Sequence, residues 1–191
     1  MYAVNQRKFV NSVAVDSHAR ERLESFLRPL YQELDGVSRF EEIERIAAIA
    51  RTIHPASDTE FELLLLFHGL GKWLDKVGNL TRTVLSVGGL QEAELRNVAA
   101  SIRQLHAPES DAERAVAASV LIDQSGVRGL AQRFASARRE GHSVVDVVHE
   151  ALADSWIPDW VPANARPMLE ARLDVRIAFC RAILEELRIR D

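Results

Sequence analysis

His68 closes a nearly unbroken apolar run, Phe61 to Phe67, and Gly69-Leu70-Gly71-Lys72 follow it. A histidine at the end of a core helix commonly bonds a backbone carbonyl, and it is also the side chain best suited to hold a proton near neutral pH. Lys72, Lys76, Arg82 and Arg103 can line a pocket for an anion, because cations flanking a core-helix terminus suit phosphates. Ordinary surface composition favours a solvated basic patch over that pocket. Trp73 can wall such a pocket or plug the core. Glu42 lies in Glu41-Glu42-Ile43-Glu44, the pattern of a solvated helix face. Asp123 precedes Gln124-Ser125-Gly126, where a carboxylate can simply terminate a helix. Cys180 occupies an apolar-looking position and reads as an inert buried thiol. His54, His142 and His149 lack the spacing of a zinc site, and no nucleophile elbow supports a Ser-His-Asp triad.

The elements that must position these groups are helical. Leu23, Leu27, Leu30 and Leu34 fall three or four apart between Asp16 and Asp35, which lays one apolar stripe along a helix ended by Gly36. A second helix is expected from Phe40 to Thr52, with Ile43, Ile46, Ala47, Ala50 and Ile53 inward and His54-Pro55 closing it. Ser57-Asp58-Thr59-Glu60 reads as a capping box before the all-apolar segment, which belongs in mid-core because it lacks a polar face. Glycines 69, 71, 78, 88 and 89 loosen the chain after it. Gln91 to Leu105 is amphipathic, and Ser110-Asp111-Ala112-Glu113 repeats the capping box ahead of a further helix. Shorter helices are expected over Val127 to Arg138 and, capped by Ser143, over Val144 to Leu152. Pro158, Pro162, Trp156 and Trp160 mark a stiff connection to a long helix from Asn164 to Arg188. No alternating strand and no internal repeat is found, so the expected fold class is all-α.

Composition bounds the function. The chain has 191 residues, 47% hydrophobic and 27% charged, with a formal net charge of -4. That length and apolar fraction suit one folded domain over residues 1–191, with Met1 to Val15 peripheral. A sequence pI near 5.9 leaves no basic excess to displace counterions, so no nucleic-acid partner is expected. The single cysteine excludes an internal disulfide framework and suits a reducing cytoplasm. The first residues lack the apolar core of a signal peptide. The longest apolar stretch, Leu63 to Phe67, is far short of the ~20 residues that span a bilayer. A cytoplasmic protein with no membrane partner is expected, and its oligomeric state is open.

His68, Leu70, Gly71 and Lys72 match the signature of the HD-domain superfamily of metal-dependent phosphohydrolases, which this sequence resembles. In that family a core helix ends in a His-Asp pair, and here Gly69 stands in place of the metal-binding Asp. Phe40-Glu41-Glu42-Ile43-Glu44-Arg45-Ile46 looks like the family's first metal helix, with Glu42 where a His would be. Ala99 to His106 resembles the segment that carries an additional His. Val120-Leu121-Ile122-Asp123-Gln124 falls where the family's last metal-binding Asp ends a helix, and Val127 to Phe134 continues in the manner of the helix after it. Ala165-Arg166 through Arg172 and Phe179 looks like the C-terminal helix of small bacterial members. The resemblance covers residues 16 to 188.

The resemblance implies a fold and a site. A helical HD-like domain would bring Glu42, His68 and Asp123 to one pocket, with His106 nearby, as ligands for a divalent metal such as Mn, Fe, Mg or Zn. Glu42 would act as replacement ligand or base, and Lys72 and Arg103 would face phosphate. Such a metal makes its bound water nucleophilic. Loss of the carboxylate at position 69 changes both the charge and the water orientation of that site. The expected function is therefore a divergent HD-like protein that keeps a pocket for a small, possibly phosphorylated ligand and has little ordinary phosphohydrolase activity. The alternative is an active phosphohydrolase acting on a nucleotide or another phosphate ester. Gly69→Asp is expected to tighten metal binding if position 69 points inward.

Overall fold

The computed structural model describes residues 17–35, 39–56, 58–70, 87, 89 and 91–188. All regular structure among them is helical, in eight α-helices and one 3-10 turn. In chain order these are α1 (Ser17–Asp35), α2 (Arg39–Ile53), α3 (Thr59–Phe67) with the 3-10 turn His68–Leu70, and α4 (Glu92–Arg103). Then come α5 (Asp111–Ser125), α6 (Val127–Glu140), α7 (Val144–Ala153) and α8 (Arg166–Arg188). Their bounds fall close to those expected from apolar spacing. The all-α class expected from the sequence holds. No helix among the described residues is long and apolar enough to cross a membrane.

Helix starts and stops follow local chemistry. The Asp58 carboxylate caps α3, accepting the Phe61 N–H at 2.8 Å. The cap is thus Asp58 rather than Ser57, which lies outside the described residues, as does Gly36. A carboxylate is the stronger acceptor for the positive end of a helix. The second capping box forms as read: Ser110 Oγ accepts the Glu113 N–H at 3.1 Å, and Glu113 Oε2 accepts the Ser110 N–H at 3.2 Å. Ser143 caps α7 in the same way with Asp146. Gly141 ends α6 at φ +80°, a left-handed conformation that glycine adopts without strain.

The chain divides into two compact units, Met1–Val116 and Ala117–Asp191, the division falling inside α5. In the first, α3 packs against α2 and α4, and α1 against α2. Phe61, Leu63, Leu64, Leu65, Leu66 and Phe67 are all buried, as the lack of a polar face requires. Glu62 is buried with them and is neutralised by Arg20 at 2.7 Å and Arg51 at 3.3 Å. One carboxylate therefore ties α1 and α2 to the core helix.

In the second unit α6, α7 and α8 pack on one another. Leu130, Ala137, Val147, Val148, Ala151 and Cys180 form its core. Gly129 makes the turn from α5 into α6 possible: a β-carbon there would lie 1.8 Å from the Gln124 carbonyl oxygen.

Candidate functional site

His68 begins the 3-10 turn that ends α3. Its Nδ1 lies 2.8 Å from the Leu65 carbonyl oxygen, which can only accept, so Nδ1 carries the proton and Nε2 the lone pair. Burial lowers the imidazole pKa, against the opposing effect of the Leu65 and Leu64 carbonyls. His68 is thus a neutral, oriented ring. Beside it, a β-carbon on Gly69 would meet Tyr31 Cε1 at 2.8 Å and the Tyr31 hydroxyl at 3.4 Å. That hydroxyl donates to the Leu66 carbonyl at 2.7 Å, satisfying one of the acceptors a helix end leaves over. The first atom of any side chain at position 69 is directed at the Tyr31 ring.

The other expected site residues sit as follows. Glu42 is half-buried on α2, and Arg103 is exposed at the end of α4. His106 is exposed beyond α4, with Nδ1 3.0 Å from the Arg103 carbonyl oxygen. Asp123 is half-buried near the C-terminus of α5. Lys72, Trp73, Lys76 and Arg82 lie outside the described residues. Among the described residues no group of three or more His, Cys, Asp or Glu side chains is arranged to hold a metal ion.

Elsewhere in the first unit, Glu60 accepts a hydrogen bond from Ser110 Oγ at 2.8 Å. Burial raises its pKa, and the Glu113 and Asp58 charges add to that while the Ser110 bond opposes it. His54 Nε2 lies 3.1 Å from Asp58, and its ring stacks at a tilt 4.9 Å from Phe61. Asp58 caps α3, Glu113 caps α5, and Glu60 joins the two starts through Ser110.

A cavity of about 610 Å³ opens in the second unit, along α6 and against the start of α7 and the C-terminal half of α8. Its walls are apolar, with Leu130, Phe134, Val147, Phe179 and Ile183 prominent among them, and Arg138, His142 and Ser143 stand at its polar end. Leu130 and Val147 belong to the core behind it. Val127, Val144 and Phe179 line it while remaining 44%, 50% and 44% exposed. Small-molecule sites combine this size, roughly 300–1,000 Å³, with mostly apolar walls and a few polar groups.

Nearby on α8, the buried Arg176 donates to the Asp154 carbonyl and to Ser155 Oγ, both at 3.0 Å. Burial lowers its pKa and raises that of the adjacent Cys180 thiol. A buried, unionised thiol is unreactive, as its apolar position suggests.

No protein-family model matches this chain, and no match is found among curated proteins. The geometry therefore stands on its own. Sequence reading missed the cavity, because Phe134, Val147, Phe179 and Ile183 share the spacing of ordinary core residues. One signal was present: Val144-Val145 beside Val147-Val148 gives α7 more apolar surface than a short helix on one core requires.

Proposed function

We propose that this chain is a divergent HD-like protein that binds a small apolar or amphipathic ligand and does not carry out ordinary phosphohydrolysis. The observation that carries the reading is the apolar cavity of the second unit. Three of its wall residues, Val127, Val144 and Phe179, keep large apolar side chains exposed around one concavity. Leaving that area in water costs free energy that a ligand recovers. The Tyr31 ring against position 69 weighs on the same side, since it occupies the direction in which the missing carboxylate would reach.

The phosphohydrolase alternative draws support from His68. A neutral ring with Nδ1 anchored on a carbonyl is the tautomer in which metal-binding histidines are usually held. In that reading His68 and Asp123 would be metal ligands, Glu42 a ligand or base, and Lys72 and Arg103 phosphate contacts.

A single screen separates the two. The full chain is heated with neutral apolar compounds, and separately assayed on nucleotides and generic phosphate esters with manganese, magnesium, iron or cobalt. The binding reading expects a rise in thermal midpoint with apolar compounds and no turnover. Turnover that disappears in both His68→Ala and Asp123→Ala would reverse the choice.

A further inference from the structure

We propose that the cavity takes an amphipathic monoanion of the fatty-acid class, an unbranched apolar chain ending in a carboxylate that meets Arg138 and His142. The inference rests on the binding reading above and adds the class of ligand. Charge complementarity argues for it. Of the described residues lining the cavity, Arg138 carries a fixed positive charge, and none is an Asp or Glu. Arg138 is exposed and makes no ion pair among the described residues. A guanidinium at the rim of an apolar cavity suits a carboxylate better than a hydroxyl, because the bond is charge-assisted.

The hydroxyl at that end is already engaged. Ser143 Oγ donates to Asp146 Oδ2 at 2.6 Å and accepts the Asp146 N–H at 3.1 Å. Asp146 also accepts the Ser143 N–H at 3.1 Å. These Ser143 bonds hold its carboxyl below the usual range, with His142 and His149 helping. Asp146 does not line the cavity, and its carboxylate is held at the helix start. A neutral polar head finds no unoccupied hydroxyl, and a cationic head would face Arg138.

The predominantly apolar walls favour a chain over a compact ring system with several polar groups. Phe134, Val147, Phe179 and Ile183 supply apolar contact, and behind them lies the unit's own core. Each methylene that enters such walls should tighten binding about fourfold.

The test is a calorimetric titration of the full chain with octanoate, decanoate and dodecanoate, each below its aggregation concentration. Decan-1-ol and decyltrimethylammonium serve as matched probes. The expected result is one site per chain and about fourfold gain per methylene. Decanoate should bind about tenfold tighter than decan-1-ol, and the ammonium compound weakest. Arg138→Gln, at an exposed position, should bring acid and alcohol level. Ala131→Trp, also at an exposed lining position, should block both, with helicity by circular dichroism confirming that each variant folds. Equal binding of acid and alcohol to the wild type would overturn the anionic class and leave the binding reading standing. No binding of any chain compound would overturn both. Self-association of the wild type through this face, unaffected by the acids, would overturn the proposal in favour of a second copy as occupant.

Discussion

The edge of the Tyr31 ring lies 2.8 Å from where a β-carbon on Gly69 would be, while its hydroxyl holds the Leu66 carbonyl at 2.7 Å. The tyrosine closes the end of the core helix, and glycine at position 69 is what lets it approach. Gly69 is not in a left-handed conformation, so the constraint is steric rather than conformational. Gly69→Ala should therefore cost about 1–3 kcal/mol in urea unfolding, the usual range for overpacking. The cost should shrink in a Tyr31→Ala background, with a coupling of about 0.5–3 kcal/mol in the double-mutant cycle. Additive effects would contradict the contact.

The same geometry changes the expectation for Gly69→Asp. The new carboxylate would be driven against an aromatic ring, so the variant should gain no manganese or iron occupancy over wild type and should lose stability. Metal analysis after dialysis checks this.

Glu62 is the buried charge on which α1 and α2 converge. Glu62→Gln keeps the shape and removes the charge, leaving the Arg20 and Arg51 guanidinia facing a neutral amide. Loss of charge-assisted bonds should cost about 2 kcal/mol in urea unfolding. Arg51→Ala alone should cost less, because Arg51 is 40% exposed and the longer of the two contacts is the one lost.

Two half-buried titrations should shape the pH dependence, with opposite signs. The pKa of His68 is lowered from its ordinary 6.5, so its contribution to stability is complete above that value and is lost as pH falls through the folded one. His68→Gln should flatten the stability profile on the acid side of neutrality. The pKa of Glu60 is raised from its ordinary 4.5, so its contribution is complete below that value and is lost as pH rises through the folded one. Glu60→Gln can still accept from Ser110 and should be more stable than wild type at pH 7, the advantage fading toward pH 4. Chemical denaturation across this range reads both effects.

Gly129 and Gly126 should respond very differently to alanine. At Gly126 the new methyl meets the flexible Arg172 side chain at 3.3 Å, whereas at Gly129 it meets backbone. Gly126→Ala should change stability little. Gly129→Ala should cost more than 3 kcal/mol or prevent folding of the second unit, beyond the ordinary overpacking range. Comparable midpoints for the two variants would contradict the turn geometry.

Much of the helical framework was legible because three- and four-residue apolar spacing is a strong local signal. Leu23 and Leu27 on α1, Ile43 and Ile46 on α2, and the buried run of α3 are inward as that spacing required. The burial of Cys180 was legible from its apolar neighbours. The cap at Asp58 was displaced by one residue, because Ser57 and Asp58 are both good caps and sequence alone does not rank them. The role of Tyr31 was not legible. Its partners, Leu66 and Gly69, lie more than thirty positions away in the chain, and only packing brings them together. The cavity was hidden for a related reason: Phe179 and Ile183 have the same spacing whether they face a core or an opening.

Ligand binding in the apolar cavity of the second unit is open to a simple test. The most direct measurement is calorimetric titration of the wild-type chain and Ala131→Trp with decanoate and decan-1-ol under identical conditions. Saturable binding to the wild type is expected, with one ligand per chain, and that binding should be lost in Ala131→Trp. No heat of binding to the wild type, or undiminished binding in Ala131→Trp, would contradict the proposal.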